Sequence, residues 1–248
     1  MPNDYPEAPP PRILNPPPTS PLELRGVSGT CSDGTGVVGI STLFSTGRLH
    51  ILRGASGGGK TALFRFAGLL ERPAEGEVLI QGSATCGLDE EVRTELRTQR
   101  LGFAFAAPFL LSSFSVIENV AMPLFKISQV DPEEARRRTE AILEFVGLAT
   151  AVEARVEDLD APAQYRVAIA RGLVNEPAAL LVENLDGMLA GGELEEFVDL
   201  LRKAAVTFGP AIVATASADL KTQAGDRVLD IGNGLITRDS ECLPETCG

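Results

Sequence analysis

The stretch that decides the fold is Gly54-Ala55-Ser56-Gly57-Gly58-Gly59-Lys60-Thr61. It follows a short apolar run at residues 49–53, and a helical pattern occupies residues 62–70. The pattern G-x-x-x-x-G-K-T between a strand and a helix predicts a phosphate-binding loop. Glycines let main-chain N–H groups turn inward as an anion-binding nest, and the helix N-terminus adds partial positive charge.

Two side chains of this loop have the chemistry that a polyphosphate requires. Lys60 can reach the β- and γ-phosphates, and the hydroxyl of Thr61 can ligate Mg²⁺. Lysine is rare in the rest of the chain, which argues against a chance match. The alternative is a glycine-rich turn that contains an incidental lysine.

The region around the loop alternates short apolar runs with amphipathic helical segments. This alternation predicts an α/β domain. The expected strands are residues 22–27, 49–53, 78–81, 101–105, 179–183, 211–215 and 227–231. The clearest helix is Pro132–Phe145, for which Asp131 is the expected N-cap, Glu134 completes a capping-box-like start and Gly147 follows the end.

The two ends of the chain differ from this middle part. Residues 1–21 are rich in proline, which predicts a disordered or polyproline arm, with a ligand for a proline-binding module as the alternative. Residues 239–248 form a short polar tail. The predicted division is therefore an arm, a domain at residues 22–238 and a tail.

Composition excludes several classes of protein. The chain has 248 residues, a formal net charge of −12 and 44% hydrophobic residues, which predicts a soluble globular domain without a nucleic-acid partner. It lacks a long apolar segment and a signal-peptide pattern, so we expect a cytoplasmic protein. The four cysteines are too few and scattered for a disulfide framework: Cys31, Cys86, Cys242 and Cys247.

Three further stretches make the chain resemble the ATP-binding subunits of ABC transporters, especially the lipoprotein-release and macrolide-export branch. Residues 96–124 are similar to the region of that family's Q-loop, residues 166–177 to the helix after its signature motif, and residues 180–183 to its Walker B strand. The resemblance covers residues 22–238. It implies a P-loop NTPase core with a mixed sheet, an inserted helical subdomain at roughly 106–165, and ATP with Mg²⁺ as ligands.

The same resemblance shows that the catalytic positions have changed. Ala106 stands where the family has its Q-loop glutamine, and Ala216 stands where it has its switch histidine. The family's Asp-Glu pair is Glu183-Asn184 here. Glu183 could still approach Mg²⁺, whereas Asn184 has no carboxylate to accept a proton. The loss of a positioned general base costs about 10²–10⁴-fold in rate.

Other family positions are altered too. The signature sequence L-S-G-G-Q is replaced by residues 159–163, where Asp160 would repel a phosphate and a proline lacks its N–H. Ala190 stands at the D-loop aspartate, and Cys31 at the aromatic residue that stacks on adenine. The chain's only histidine, His50, lies just before the phosphate loop and is interpreted as a strand residue.

These changes predict a subunit that binds ATP but is catalytically impaired. The alternatives are an active ATPase, in which Glu183 or the nearby Asp186 contributes, a purely structural pseudo-ATPase, and a P-loop kinase unrelated to transport. By resemblance, the partners are a membrane permease and a second ATPase subunit, either identical or paralogous. The expected location is the cytoplasmic face of the inner membrane.

An apolar cluster follows the altered Q-loop position. It consists of Phe109, Leu110, Leu111 and Phe114. We interpret it as part of the core, with a contact to a partner as the alternative.

Overall fold

A computed structural model describes residues 20–127, 130–187, 189, 191–223 and 225–240. Within them, the strands are Leu22–Thr30 (β1), Gly36–Phe44 (β2), Leu49–Arg53 (β3), Glu75–Ile80 (β4), Ser83–Ala84 (β5), Leu101–Ala104 (β6), Ala179–Val182 (β7), Ala211–Ala216 (β8), Arg227–Gly232 (β9) and Leu235–Asp239 (β10). The helices are Lys60–Ala67 (α1), Glu90–Arg100 (α2), Val116–Ile127 (α3), Pro132–Phe145 (α4), Ala161–Leu173 (α5) and Gly191–Phe208 (α6).

The strands form two sheets. A four-stranded antiparallel sheet has the order β2-β1-β4-β5, and a six-stranded sheet has the order β10-β9-β3-β8-β7-β6. In the second sheet all neighbours are parallel except the β10–β9 pair. This is the mixed α/β architecture that the sequence predicts.

The larger sheet has a separate hydrophobic core on each face. Residues such as Leu52, Leu181 and Val213 pack with α1 and the four-stranded sheet. Alternate residues of the same strands, such as Ile51 and Ile212, pack with helices α3 to α6. Because both faces are covered, the central strands β7 and β8 are buried along their whole length, as expected for a parallel sheet.

Helix α5 lies very close to strand β6, and glycines make this approach possible. A Cβ atom built on Gly102 would lie 2.1 Å from the carbonyl oxygen of Gly172. A Cβ atom on Gly172 would lie 2.6 Å from a methyl of Leu180. Gly102 therefore requires the absence of a side chain, and a side chain at Gly172 would have to displace the buried Leu180.

All seven expected strands are present, and β3 has the expected bounds. Strands β2, β5 and β10 were not predicted. In β2, Gly36, Gly39, Ser41 and Thr42 interrupt the apolar pattern. Strand β5 has only two residues, too few for a pattern.

Helix α4 has the expected bounds, and the carboxylate of Asp131 accepts a hydrogen bond from the N–H of Glu133 at 3.1 Å. The capping-box expectation for Glu134 is wrong, because its carboxylate binds the guanidinium groups of Arg137 and Arg138. Gly147 follows the helix with a left-handed φ of 79°.

Most of the predicted arm and tail lies outside the described residues. At the described edge of the arm, the N–H of Gln81 donates to the carbonyl of Pro21 at 2.9 Å. At the edge of the tail, the N–H of Ser240 donates to the carbonyl of Val228. Cys242 and Cys247 also lie outside the described residues. Among the described helices, none has both the length and the apolar character needed to cross a bilayer.

Candidate nucleotide-binding site

The phosphate loop connects β3 to α1, as the sequence predicts. Close main-chain contacts explain why two of its positions are glycine. A Cβ atom on Gly54 would lie 2.1 Å from the carbonyl oxygen of Ile231. Gly59 has a φ of 109°, and a Cβ atom there would lie 2.7 Å from the carbonyl oxygen of Gly36. The loop therefore has a main-chain path that only glycine can follow at these two positions.

The ammonium group of Lys60 lies across the start of the loop. It donates hydrogen bonds to the carbonyl oxygens of Gly54 and Ala55 at 2.5 and 2.8 Å. Burial lowers the pKa of Lys60, and the negative charge of Asp186 opposes this shift. These two hydrogen bonds hold the ammonium group at residues 54 and 55 of the loop.

A cavity of about 520 Å³ opens at the loop, and its walls come from five segments of the chain. It is lined by Thr35, Gly54, Ala55, Ser56, Gly57, Gly59, Lys60, Thr61, Ala106, Glu183, Asn184, Thr215, Ala216, Ser217, Ala218 and Asp219. Four of the segments meet because they follow or end parallel strands β3, β6, β7 and β8, whose carboxyl ends lie at one edge of the sheet. The fifth is Thr35, which lies just before β2. Of the predicted loop residues, Gly58 does not line the cavity, and its carbonyl accepts a hydrogen bond from the N–H of Gly234.

Glu183 and Thr61 both line this cavity. One carboxylate oxygen of Glu183 lies 3.4 Å from the N–H of Ala106, and its main-chain carbonyl accepts a hydrogen bond from the hydroxyl of Tyr165 at 3.1 Å. A carboxylate and a hydroxyl are hard oxygen ligands of the kind that Mg²⁺ prefers. The described residues contain no cluster of three or more His, Cys, Asp or Glu side chains suited to a metal ion, so phosphate oxygens and water would supply the other ligands.

Asn184 has an unusual main-chain conformation at the position of the family's catalytic glutamate. Its φ is +51°, and its N–H donates to the hydroxyl of Thr215 at 2.8 Å. A Cβ atom on Gly187 would lie 1.8 Å from the amide nitrogen of the Asn184 side chain, so this carboxamide is turned towards Gly187. Asn184 therefore lines the cavity without offering it a general base.

Ala106 and Ala216 also line the cavity, and each contributes only a methyl group. Ala216 is buried at the end of β8. Neither side chain can donate or accept a proton, so the Q-loop and switch positions supply no polar side chain to this site.

Asp160, in the altered signature stretch, has a structural role that sequence reasoning missed. Its carboxylate accepts a hydrogen bond from the N–H of Ala163 at 2.8 Å and caps α5, with Pro162 in the first turn. This N–H is consequently engaged within the chain. The sequence does contain a signal for this helix start, because an aspartate followed two residues later by a proline is typical of a helix N-terminus.

Asp186 lies beside the cavity but is held by the main chain. Both of its carboxylate oxygens accept from the N–H of Ser217 at 3.0 Å. Asp186 lines a neighbouring cavity of about 600 Å³ rather than the phosphate-loop cavity. Ser217, Thr35 and Asp219 line the phosphate-loop cavity and were not predicted, although Ser217 directly follows Ala216.

Two other expectations concern single residues. Cys31 is buried, with its pKa raised to about 11 by burial and by Glu71, and it does not line the cavity. It therefore offers no surface to an adenine ring. His50 is a buried strand residue, as predicted, whose Nε2 lies 3.1 Å from the carbonyl of Ser45. Ala190 lies outside the described residues.

The interpretation of the apolar cluster as core is wrong for three of its four residues. Phe109 is 70% exposed, and Leu111 and Phe114 are 43% and 42% exposed. Only Leu110 packs against the core. We call the three exposed residues the exposed apolar cluster.

A partly buried arginine and a buried asparagine hold the main chain of this cluster in place. Arg171 donates to the carbonyls of Pro108 and Phe109 at 2.7 and 2.9 Å. Asn119 is fully buried, accepts from the N–H of Leu111 at 2.8 Å and donates to its carbonyl at 3.0 Å. Fixed carbonyl and amide contacts keep these apolar side chains at the surface.

The model of the family described as "ABC transporter" matches residues 37–184. The chain belongs to the ABC transporter family. The lipoprotein-releasing system ATP-binding protein LolD of Paramagnetospirillum magneticum is 40% identical over 194 residues, which is 77% of this chain and 84% of that protein. LolD of Maricaulis maris is 37% identical over 224 residues, covering 87% and 96% of the two chains.

Solved structures of this family have the same fold. A dimeric structure of the ATP-binding cassette MJ0796, bound to ADP and Pi, superposes with a TM-score of 0.77 at 27% identity, and covers 88% of this chain and 97% of that one. CbiO1 from Clostridium perfringens, part of an ABC transporter complex, also superposes with a TM-score of 0.77, at 23% identity. The fold is therefore that of an ABC ATPase cassette.

Proposed function

We propose that this chain is the ATP-binding subunit of an ABC transporter similar to the lipoprotein-releasing systems, and that it hydrolyses ATP very slowly or not at all. One observation supports this proposal: Lys60 and the glycine-rich loop line a cavity in which the side chains of Asn184, Ala106 and Ala216 offer neither an acid nor a base.

The residues fit ATP and Mg²⁺. In the proposed complex, residues 54–61 hold the phosphates with main-chain N–H groups and Lys60, and Thr61 and Glu183 hold Mg²⁺. The ion would supply positive charge that neutralises the phosphates. The chain's own groups bind and orient the nucleotide, and the described cavity wall supplies no residue at the family positions that would take a proton from water.

Burial of Cys31 supports weak binding of the base. Stacking of an aromatic side chain on a base contributes about 1–3 kcal/mol, and Cys31 does not supply it. We expect the phosphates to provide most of the affinity, so that ATP and GTP bind with similar strength.

Membership of the family supports a proposal about assembly. We infer that the chain pairs with a second ATPase subunit and with a membrane permease, on the cytoplasmic face of the inner membrane. In a dimer of identical chains, each phosphate loop would face the altered signature residues 159–163 of the other copy. The exposed apolar cluster is the surface that we assign to the permease, and the net charge of −12 favours attachment through protein rather than through anionic lipid.

Isothermal titration of the full chain with Mg-ATP tests nucleotide binding. We expect saturable heat that disappears in Lys60→Ala, while Lys203→Ala in α6 retains it as a matched control. Equal heats from wild type and Lys60→Ala, or no binding by either, would contradict the proposal.

A further inference from the structure

A second cavity, of about 240 Å³, lies between β4, the segment that follows β5, and helix α2. It is lined by Leu69, Arg72, Pro73, Ala74, Glu75, Gly76, Val78, Thr85, Cys86, Gly87 and Arg93. None of these residues lines the phosphate-loop cavity. The two cavities are therefore separate features of the surface.

Arg93 places a buried guanidinium in the wall of this second cavity. Its side chain is only 4% exposed. It donates to the carbonyl of Glu71 and lies 3.4 Å from a carboxylate oxygen of Glu90. A buried charge is costly unless a counter-charge and hydrogen bonds compensate it.

The carboxylate that pairs with Arg93 is that of Glu90. Glu90 is shared, because Arg72 also binds it, at 3.3 Å, and its side chain is 65% exposed. Burial lowers the pKa of Arg93, Glu90 opposes that shift, and the positive charges of Arg72 and Arg97 lower it further. The exposed carboxylate of Glu90 thus pairs with two guanidinium groups, and Arg97 is a third arginine nearby.

Glu75 also lines the cavity but is exposed, and among the described residues it forms no ion pair with Arg72 or Arg93. Arg72 makes its shortest contact to the carbonyl of Leu88, at 2.7 Å, which fixes one guanidinium nitrogen at the cavity. The cavity thus has two guanidinium groups, Arg72 and Arg93, in a chain with a net charge of −12, beside the exposed carboxylate of Glu75 and the shared carboxylate of Glu90.

We propose that this cavity is a binding site for a phosphate-class oxyanion, held by Arg93 and Arg72. Guanidinium groups match the oxygen geometry of phosphate and bind it through charge-assisted hydrogen bonds. The volume is below the roughly 300–1,000 Å³ of pockets for drug-sized ligands, which indicates a small group. Free inorganic phosphate and the head group of an anionic lipid share this chemistry.

The experiment uses the full chain carrying Lys60→Ala, so that the phosphate loop does not contribute to the binding of phosphate. Thermal unfolding is followed while inorganic phosphate is titrated at constant ionic strength. A ligand that binds only the folded state raises the unfolding temperature saturably. We expect this rise, with an affinity at least about tenfold weaker after Arg72→Gln, because a charge-assisted hydrogen bond is lost.

Arg136→Gln is the matched control, because Arg136 is 61% exposed and pairs with Glu140 on α4. It should retain the wild-type phosphate affinity. Arg93→Lys keeps the charge but removes the forked geometry, and it should also weaken binding. An affinity that Arg72→Gln leaves unchanged would overturn the proposal.

Flotation with vesicles separates the two sources of the anion. Phosphatidylcholine vesicles with and without phosphatidylglycerol are compared, again in the Lys60→Ala chain. Flotation that requires both phosphatidylglycerol and Arg72 would identify a lipid head group as the source. The absence of both saturable phosphate binding and Arg72-dependent flotation would overturn the proposal. These outcomes do not depend on ATP binding.

Discussion

The hydroxyl of Tyr165 on α5 donates a 3.1 Å hydrogen bond to the main-chain carbonyl of Glu183, the residue that follows β7. Tyr165 is 1% exposed, and its ring lies 5.5 Å from that of Phe197 on α6. The helix after the altered signature is thus tied to the strand end that carries the proposed metal ligand. This hydrogen bond connects helix α5 to the end of strand β7 through a buried tyrosine.

The substitution Tyr165→Phe should destabilise the protein by about 1–3 kcal/mol, because it leaves the carbonyl of Glu183 without its partner. Urea unfolding followed by circular dichroism measures this loss. Thr98→Val is a suitable comparison, since it removes an exposed hydroxyl and should change stability by less than about 0.5 kcal/mol. Equal losses in both variants would show that the hydrogen bond contributes nothing.

The isolated chain should release no phosphate from ATP above the level of a Lys60→Ala control. The positions that would act together on water are Asn184, Ala106 and Ala216, and none has an acid or a base. Steady-state phosphate release measures the rate. Lys60-dependent turnover near about 1 s⁻¹, at the lower end of the usual enzymatic range, would contradict this expectation.

Asn184→Glu should not restore hydrolysis, and it should destabilise the chain. A φ of +51° is tolerated by asparagine but costs other residues roughly 1–2 kcal/mol. Asn184→Asp is the control, because aspartate also tolerates this conformation. Thermal unfolding and phosphate release should be measured on both variants. Higher stability in Asn184→Glu than in Asn184→Asp is the result that would refute the backbone argument.

His50 should make stability depend on pH. Burial lowers its pKa to about 4, from an ordinary value of about 6.5 in the unfolded chain. Between these two values the unfolded state binds more protons, so the free energy of unfolding falls as the pH drops from about 6.5 to 4 and is unaffected by His50 above pH 7. Each pKa unit corresponds to about 1.4 kcal/mol.

Since the chain has one histidine, NMR can follow its ring directly. The folded protein should show no titration of this ring down to about pH 5. In His50→Leu the loss of stability between pH 7 and pH 4.5 should be smaller than in wild type by about 2 kcal/mol. A His50 resonance that titrates near pH 6.5 in the folded state would exclude this role.

Leu111→Glu should leave folding intact, because Leu111 is 43% exposed, but should abolish co-purification with the permease. Lys60→Ala should retain the complex if docking does not need nucleotide. Circular dichroism checks the fold of each variant. Retention of the complex in a well-folded Leu111→Glu would mean that the exposed apolar cluster is not the docking surface. Loss in Lys60→Ala would show that nucleotide binding holds the assembly.

The sequence predicted the parts of the fold that depend on local patterns. The glycine-rich motif marks the loop at residues 54–61. An apolar run marks strand β3, and helix α4 combines an apolar periodicity with an N-cap and a following glycine. Strand β2 has no such pattern in its sequence. It is a strand because it pairs with β1, a contact between segments that a local pattern does not reveal. The α/β class followed from the alternation of elements.

The candidate site was predictable only where a motif identified it. Asn184, Ala106 and Ala216 were found by family position, and the structure places all three in one cavity. The side-chain directions of Cys31, Asn184 and Phe109 depend on tertiary packing and on main-chain torsions. No local pattern carries that information, so burial of Cys31 and exposure of Phe109 required the structure.

The contact between Gly102 and Gly172 limits how this sequence can change. Asn184, Ala106 and Ala216 line an open cavity, so a side chain that changes there has space around it. A single methyl group at Gly102 would meet a main-chain oxygen at 2.1 Å and push α5 away from β6. In a library of all single substitutions, the most intolerant positions should therefore include these two residues, which have no functional group to lose.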